Sequence, residues 1–102
     1  MAKLIKVAVT KDLPPGASAS FEVEGQTIAI FNVEGALYAI DDTCPHSGGP
    51  LSQGRVEGQK VTCPWHEADF DLRTGKVLCG PAFEDVKSYK VVVEGDEIKV
   101  EI

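Results

Sequence analysis

Two short pairs of metal-ligating side chains stand out in the sequence. Cys44 lies two positions before His46. Cys63 lies three positions before His66, and sixteen residues separate the two pairs. These four residues include both histidines and two of the three cysteines of the chain. Because thiolate sulfur and imidazole nitrogen bind zinc, copper and iron–sulfur centres well, the spacing predicts one compact metal site held by two adjacent loops.

Each pair combines one cysteine with one histidine, which narrows the kind of metal site. Zinc sites more often place like ligands together, in C-x2-C and H-x3-5-H pairs. Mixed pairs suit a two-iron cluster in which each loop gives one ligand to each iron. Two cysteines would then hold one iron and two histidines the other, as in Rieske centres.

The motif C-x-H-x16-C-x2-H, in which Pro45 and Pro64 each follow a cysteine, resembles the Rieske [2Fe–2S] signature. The resemblance spans about residues 40 to 90. Three further segments resemble parts of that family: Gly48-Gly49-Pro50-Leu51 the first cluster loop, Phe70-Asp71-Leu72-Arg73-Thr74-Gly75-Lys76 the hairpin after the second, and Gly80-Pro81-Ala82 the proline loop that covers the cluster.

This resemblance implies one Rieske-type [2Fe–2S] cluster per chain. The implied ligands are Cys44, His46, Cys63 and His66. Three other interpretations of the same residues stay open: a zinc site of similar shape, a Cys44–Cys63 disulfide with bystander histidines, and a family member that has lost its cluster. Cys79 is expected to be a buried structural thiol, because four ligands are already found.

Length and composition indicate one small globular domain, residues 1–102. The shares of hydrophobic (43%) and charged (25%) residues are ordinary. The longest apolar runs are only a few residues, too short to span a bilayer, and the N-terminus lacks the apolar stretch of a signal peptide. We therefore expect a cytoplasmic protein, in which thiols stay reduced and can ligate metal. The net charge of −6 excludes a basic nucleic-acid footprint.

Acidic residues are concentrated in or beside the proposed cluster loops. They are Asp41, Asp42, Glu67, Asp69, Asp71, Glu84 and Asp85. Basic residues oppose them only in part. Each acid taken singly is expected on a solvated surface, and as a group the acids could steer a basic partner face toward the cluster.

Alternation of apolar and polar residues predicts several short strands. The predicted segments are Lys3–Val9, a strand with Phe21 and Val23 on one face, Thr27–Val33, Ala36–Ile40, a strand with Tyr89, Val91 and Val93 facing inward, and Glu97–Ile102. Thr27–Val33 is apolar on both faces, which predicts a central strand. Because no segment shows a convincing helical period, the pattern indicates an all-β sandwich or barrel.

The tripeptide Val-Glu-Gly occurs four times, ending at Gly25, Gly35, Gly58 and Gly95. Its unequal spacings exclude a structural repeat. Each copy is expected in a tight hairpin, where the glycine supplies a positive φ. The Rieske resemblance implies a matching architecture, an antiparallel β sandwich with a cluster-binding subdomain inserted at about residues 41 to 81.

Departures from the family pattern predict a reduction potential at the low end of the Rieske range, which runs from roughly −150 to +300 mV. High-potential members carry an extra cysteine in each loop, joined as a disulfide, at positions resembling Gly49 and Trp65. They also carry a serine and a tyrosine that donate hydrogen bonds to the cluster and its ligand sulfur, at positions resembling Ala68 and Phe70. Such bonds raise the potential, and neither residue here has a hydroxyl. Glu67 stands where most members have glycine.

The resemblance implies a soluble one-electron carrier that passes electrons from a flavin-dependent reductase to a terminal oxygenase of the aromatic-ring-hydroxylating type. The alternative is a small Rieske subunit fixed to the large subunit of an NADH-dependent nitrite reductase or of another oxidoreductase complex. After four ligands no histidine is left for the mononuclear iron site of an oxygenase, so no catalytic residue is expected. A carrier is expected to be monomeric when no partner is bound, and to contact neither nucleic acid nor membrane.

Overall fold

The computed structural model describes residues 3–43, 50–64, 68–79 and 85–102. The secondary structure in these ranges consists of β-strands and two 3-10 helices. In chain order the elements are β1 (Leu4–Val9), η1 (Thr10–Asp12), β2 (Ser18–Val23), β3 (Gln26–Val33), β4 (Ala36–Asp41), η2 (Leu51–Gln53), β5 (Arg55–Glu57), β6 (Lys60–Thr62), β7 (Asp69–Asp71), β8 (Val77–Cys79), β9 (Ser88–Glu94) and β10 (Glu97–Glu101). Neither helix in these ranges approaches the length or the apolarity of a membrane span.

The larger sheet has six strands in the order β1-β10-β9-β4-β3-β2, and each neighbouring pair is antiparallel. Its outer strands β1 and β2 contact each other, so the sheet curls around an apolar core. We call this the sandwich core. Its buried residues are Leu13, Val23, Ile28, Ile30, Ala39, Tyr89, Ile98 and Val100. The predicted all-β antiparallel fold is confirmed.

The smaller sheet has four antiparallel strands in the order β5-β6-β7-β8, and the chain between β4 and β9 forms it. Each of its strands has three residues. A second apolar cluster joins this sheet to the larger one, and we call it the inter-sheet core. Its buried residues are Ala29, Phe31, Ile40, Leu51, Val61, Cys63, Ala68, Phe70, Leu72 and Val86.

The apolar strand β3 borders both cores. Ile28 and Ile30 belong to the sandwich core, whereas Ala29 and Phe31 belong to the inter-sheet core. In the sheet order β3 lies between β4 and the edge strand β2 and pairs with both, so it is an interior strand of the larger sheet, as predicted. The strand is apolar on both faces because each face is covered by a different core.

Most strands of the larger sheet agree with the predicted segments to within one residue at each end, but β2 begins at Ser18, earlier than its alternating pattern suggested. The strands of the smaller sheet are too short to show a period of two. Two hairpins of the smaller sheet were indicated beforehand by other signals: β5–β6 by the Val-Glu-Gly copy that ends at Gly58, and β7–β8 by the family resemblance. Alternation therefore predicted the larger sheet and missed most of the smaller one.

All four Val-Glu-Gly copies lie at two-residue hairpin turns, as predicted, but they use two different registers. The loops after β2 and β3 are Glu24-Gly25 and Glu34-Gly35, and every residue in them has a positive φ, as in type I′ turns. The loops after β5 and β9 are Gly58-Gln59 and Gly95-Asp96, and only the glycine has a positive φ, as in type II′ turns. The tripeptide thus marks a turn without setting its register.

Candidate metal centre

Cys63 is the one predicted ligand that lies within the described ranges. The other three lie outside the described residues: Cys44, His46 and His66. Cys63 directly follows β6 and is fully buried. Its N–H donates to the carbonyl of Ala68 at 2.8 Å, and this bond closes the second predicted cluster loop. That loop therefore starts and ends on buried, hydrogen-bonded backbone.

The surroundings of Cys63 suit an iron–sulfur ligand. Its side chain belongs to the inter-sheet core. A cavity of about 260 Å³ lies beside it, lined by Gln53, Arg55, Thr62, Cys63 and Pro64. Cysteine sulfur is the soft donor on which iron–sulfur clusters depend. In donor chemistry and in position, Cys63 fits a [2Fe–2S] group held at this end of the smaller sheet.

The first predicted cluster loop is closed at its base by Asp42. The N–H of Leu51 donates to the Asp42 carbonyl at 2.6 Å, and the N–H of Ser52 donates to Oδ1 of Asp42 at 2.7 Å. Thr43 and Pro50 form a β-bridge beside these bonds. The chain thus leaves the larger sheet, forms the predicted ligand loop and returns to the same point.

The predicted proline loop is closed by two hydrogen bonds. The N–H of Val77 donates to Oδ1 of Asp85 at 2.8 Å, and the N–H of Val86 donates to the carbonyl of Gly75 at 2.8 Å. Gly75 has a φ of +78°, and a side chain there would collide with the carbonyl oxygen of Val86. Pro81 and the side chain of Cys79 lie outside what the structure describes, so their predicted roles stay predictions.

Polar side chains also support the second loop from β6 and β7. Thr62 and Asp69 lie opposite each other on these strands, and the threonine hydroxyl donates to Oδ1 of Asp69 at 2.7 Å. Nζ of Lys60 lies 3.5 Å from the other carboxylate oxygen. Thr62 is a buried polar residue, and the carboxylate satisfies its hydroxyl. The pair therefore braces the strands immediately before and after the loop.

The turn after β7 is organised by Asp71. The backbone N–H of Arg73 donates to Oδ1 of Asp71 at 2.8 Å, and the guanidinium nitrogens Nε and Nη2 lie 3.3 and 3.2 Å from its carboxylate oxygens. The side-chain hydrogen bond, foremost, holds the pKa of Asp71 below its usual value, and the same bond raises the pKa of Arg73. Because the arginine is largely exposed, the stabilisation is modest.

Tyr89 ties β9 to the end of β4. Its hydroxyl oxygen lies 2.6 Å from Oδ1 of Asp41 and 2.6 Å from the side-chain oxygen of Gln26. One hydroxyl proton serves one acceptor at a time, and the carboxylate is the stronger acceptor. Burial, and next the bond to Asp41, raise the pKa of Tyr89 far above its usual value. The chain that leads into the first cluster loop is therefore anchored one residue before Asp42.

The acids that the sequence analysis grouped as a steering surface have specific local partners. The five described members all accept hydrogen bonds within the fold: Asp41, Asp42, Asp69, Asp71 and Asp85. Glu67 and Glu84 lie outside the described residues. Sequence reasoning noted the charges but missed their role as acceptors that close loops and turns. Asp at a loop boundary was the available signal, because its short side chain readily accepts backbone N–H groups.

Two of the positions linked to the reduction potential are visible. Ala68 and Phe70 are both fully buried in the inter-sheet core. Neither brings a hydroxyl to the neighbourhood of Cys63. Gly49 and Trp65, the positions linked to a disulfide, lie outside the described residues, as does Glu67.

Comparison with known proteins identifies one family, which is the family that the sequence motif resembles. A family model for the Rieske [2Fe-2S] domain matches residues 3–90. The ferredoxin component of the naphthalene 1,2-dioxygenase/salicylate 5-hydroxylase systems of a Ralstonia species is 38% identical over 98 residues, which are 96% of this chain and 94% of that protein.

Solved structures match over almost the whole chain. The ferredoxin of carbazole 1,9a-dioxygenase from Nocardioides aromaticivorans IC177 has a TM-score of 0.91 at 33% identity and covers 96% of both chains. A chain in the complex of reduced oxygenase and oxidized ferredoxin of carbazole 1,9a-dioxygenase has a TM-score of 0.88 at 30% identity, covering 95% of this chain and 91% of that one. A structure described as an NADH-dependent nitrite reductase small subunit from Mycobacterium tuberculosis has a TM-score of 0.90 at 23% identity, covering 100% and 96%, and shows a shared fold alone.

Proposed function

Because the chain belongs to the Rieske [2Fe–2S] domain family, we propose that it is a one-electron carrier, the ferredoxin component of an aromatic-ring-hydroxylating dioxygenase system. One observation carries this proposal: a ferredoxin component of such a system matches 96% of this chain, and the match covers 94% of that protein. The [2Fe–2S] cluster of the domain supplies the chemistry, which is the gain and loss of a single electron. The chain is an electron-transfer component and not itself an enzyme.

The proposed cluster ligands are one cysteine and one histidine from each loop. Cys44 and Cys63 are proposed to hold one iron. His46 and His66 are proposed to hold the other, in the arrangement that defines Rieske centres. The buried position of Cys63 at the base of its loop supports this set. Neutral imidazoles replace two thiolates in such a site, which makes the cluster easier to reduce than one with four cysteines.

Residues 1–102 are proposed to form one Rieske domain, in which about residues 41 to 81 are the cluster-binding subdomain. The smaller sheet supports this division, because the chain that forms it leaves and rejoins the larger sheet at β4 and β9. The potential is proposed to lie at the low end of the family range. The buried side chains of Ala68 and Phe70 support that, since neither can donate a hydrogen bond to sulfur.

The proposed partners are a flavin-dependent reductase and a terminal oxygenase. The structural match to a complex between an oxygenase and a ferredoxin supports the second of these. The proposal also places the protein in the cytoplasm, where cysteine ligands stay reduced. In the part of the chain that the structure describes, the exposed large apolar residues lie on four different strands: Leu4, Val56, Leu78 and Val93.

The alternative is a small Rieske subunit of an NADH-dependent nitrite reductase or of another oxidoreductase complex. Its specific support is the shared fold with a structure of that description. The two functions differ in what the isolated chain does. A carrier elutes as a monomer and transfers electrons to an added oxygenase at a rate that depends on its concentration, whereas a fixed subunit copurifies with a large subunit.

The first test is an EPR spectrum of the dithionite-reduced protein, purified without oxygen, with iron counted on the same sample. We expect a rhombic Rieske-type signal and the two irons of a [2Fe–2S] cluster per chain. A sample that holds zinc or no metal, and gives no such signal, would contradict the electron-carrier function.

Matched cysteine variants test the ligand set. Cys63→Ser is expected to abolish the Rieske signal, because it removes a thiolate ligand. Cys79→Ser is the control, and we expect it to keep both the signal and the iron. Loss of the signal in Cys79→Ser would overturn the proposed ligand assignment. It would not by itself decide whether the unmodified protein holds a [2Fe–2S] cluster.

A further inference from the structure

We propose that Asp42 is the positioning residue of the first cluster loop. Its carboxylate and its backbone carbonyl together fix the base from which Cys44 and His46 reach the cluster. The inference rests on the proposed function, which supplies these two ligands. Asp42 is not itself a ligand, but its contacts determine where the two ligands lie.

The burial of Asp42 calls for a specific partner. This acidic residue is only 7% exposed. A buried carboxylate is costly unless hydrogen bonds replace its lost water. The N–H of Ser52, 2.7 Å from Oδ1, provides such a bond, and a bond to a charged acceptor is stronger than one between neutral groups. Asp42 is therefore held in one place, and it holds Ser52 there as well.

The same contact caps a short helix that lies several residues later in the sequence. Helix η2 starts after Pro50, which makes no side-chain cap of its own. The first N–H groups of a helix have no partner inside it. Asp42 accepts from two of them, Leu51 through its carbonyl and Ser52 through its side chain. One residue thus joins the entry and the exit of the loop that contains Cys44.

Both sides of this closure are attached to the larger sheet. The N–H of Asp42 donates to the carbonyl of Thr27 at 3.0 Å. The hydroxyl of Ser18 donates to the carbonyl of Ser52 at 2.7 Å, and Leu51 is fully buried in the inter-sheet core. The Asp42 carboxylate is one of three contacts that join these two attachments, beside the backbone bond from Leu51 to Asp42 and the Thr43–Pro50 bridge. Since Cys44 follows Asp42 by two residues, we expect loss of this contact to loosen the base of the ligand loop.

The test compares three variants that change the same region in different ways. Asp42→Ala removes the acceptor of the Ser52 N–H. Asp42→Asn keeps an acceptor oxygen at the same place. Ser18→Ala removes the other side-chain hydrogen bond to Ser52 and leaves the loop base closed, so it serves as the structural control.

Three measurements distinguish positioning from general stabilisation. The first is the rate at which an iron chelator bleaches the visible spectrum of the cluster. The second is hydrogen–deuterium exchange of the backbone of residues 43–54, which reports loop closure without reference to electron transfer. The third is the EPR spectrum together with the reduction potential, which respond to the placement of the ligands. The thermal midpoint of each variant is recorded alongside.

We expect Asp42→Ala to bleach roughly ten times faster and to exchange the Ser52 amide roughly ten times faster, because a hydrogen bond to a charged group is lost. Its EPR lines and its potential are expected to shift. Asp42→Asn keeps a weaker, neutral hydrogen bond, so it is expected to lie between the alanine variant and the unmodified protein. Ser18→Ala is expected to lower the thermal midpoint while leaving the EPR lines in place.

Two results would overturn the inference. One is an Asp42→Ala protein with unchanged bleaching and EPR lines, and the other is a Ser18→Ala protein whose lines shift as much. If the alanine variant does not fold, Asp42→Val, which also lacks an acceptor, replaces it, and unchanged bleaching there is equally decisive. Failure of the proposed function looks different, since it shows as an unmodified protein without a Rieske signal. If the cluster is present, and its bleaching rate and EPR lines are unchanged in Asp42→Ala, only this inference is contradicted.

Discussion

The two sheets of the molecule are stabilised in different ways. Strands of the larger sheet have five to eight residues and pair along most of their length. Each strand of the smaller sheet has three residues. In the smaller sheet the loops are closed by specific polar contacts, such as those of Asp42 and Asp85. The larger sheet closes its three hairpins with two-residue turns, as the smaller sheet does only between β5 and β6.

This difference separates the scaffold from the site. Long paired strands around an apolar core are stable by burial alone, whereas very short hairpins are marginal in water. The smaller sheet therefore depends on the inter-sheet core, on its loop closures and on the cluster that is proposed to join two of its loops. A metal centre bound in this way contributes to folding as well as to function.

The largest effect on stability is expected from alanine substitutions at two glycines, Gly75 and Gly35. Both have a positive φ, but their surroundings differ. Gly75→Ala is expected to destabilise the smaller sheet by about 3 kcal/mol or more, because the new side chain takes the place of the Val86 carbonyl oxygen. Gly35→Ala in the larger sheet keeps only the cost of a positive φ, about 1 kcal/mol, since nothing lies close to its added carbon. Thermal unfolding of both variants measures the contrast, and equal losses would contradict it.

The next effect compares the two cores. Ile98 is fully buried in the sandwich core and Leu72 is almost fully buried in the inter-sheet core. Each alanine substitution is expected to cost about 2–5 kcal/mol. Ile98→Ala should lower the midpoint of backbone unfolding followed by circular dichroism. Leu72→Ala should release the cluster at a temperature below that midpoint. If backbone unfolding and cluster release occur at the same temperature in both variants, the two sheets unfold as one unit. That result would contradict the difference in stabilisation between them.

A smaller effect concerns the turn of the smaller sheet at low pH. The pKa of Asp71 is lowered in the folded protein, so its contribution to stability is present above pH 3.8 and is lost as the pH falls through the lower folded value. Arg73→Ala is expected to raise this pKa toward its usual value and to flatten the loss of stability below about pH 4. Denaturant unfolding from pH 7 to pH 3 tests this. Lys6→Ala, at an exposed ion pair of the larger sheet, is the control for the change in net charge.

The smallest effect on stability is expected from substitutions that distinguish the two turn registers. Glu34 has a φ of +53° in its turn, a conformation that asparagine adopts more readily than glutamate. Glu34→Asn is expected to stabilise the protein by about 0.5 kcal/mol, seen as a higher thermal midpoint. Glu94 belongs to another copy of the tripeptide but lies in a strand, so Glu94→Asn is expected to bring no gain. A matching rise in both variants would contradict the assigned registers.

Local patterns predicted those parts of the fold that depend on neighbouring residues. Alternation located most strands of the larger sheet, since one face of each is buried, whereas β3 was located as a run that is apolar on both faces. The four Val-Glu-Gly copies located four turns. The spacing of Cys44, His46, Cys63 and His66 predicted a metal site, and Cys63 lies buried at the base of its loop. For the other three ligands the spacing remains the whole basis of the assignment.

Other features depend on contacts between residues far apart in the chain. Tyr89 meets Asp41 across β9 and β4, and Ser18 of β2 meets Ser52 of η2. Nothing in the sequence around Asp42 distinguishes it from the less buried acids of the same group. Its role follows from the folding of η2 back onto the larger sheet.

The sequence by itself determined that the chain alternates in short strands, turns at its Val-Glu-Gly copies and carries a Rieske ligand motif. The tertiary structure decided which register each turn adopts, why β3 is apolar on both faces, and which carboxylates close the loops. The physical reason is the range of the interactions. Turn preference and alternation act over a few residues, whereas core packing and hydrogen bonds to distant backbone groups exist only once the two sheets have met.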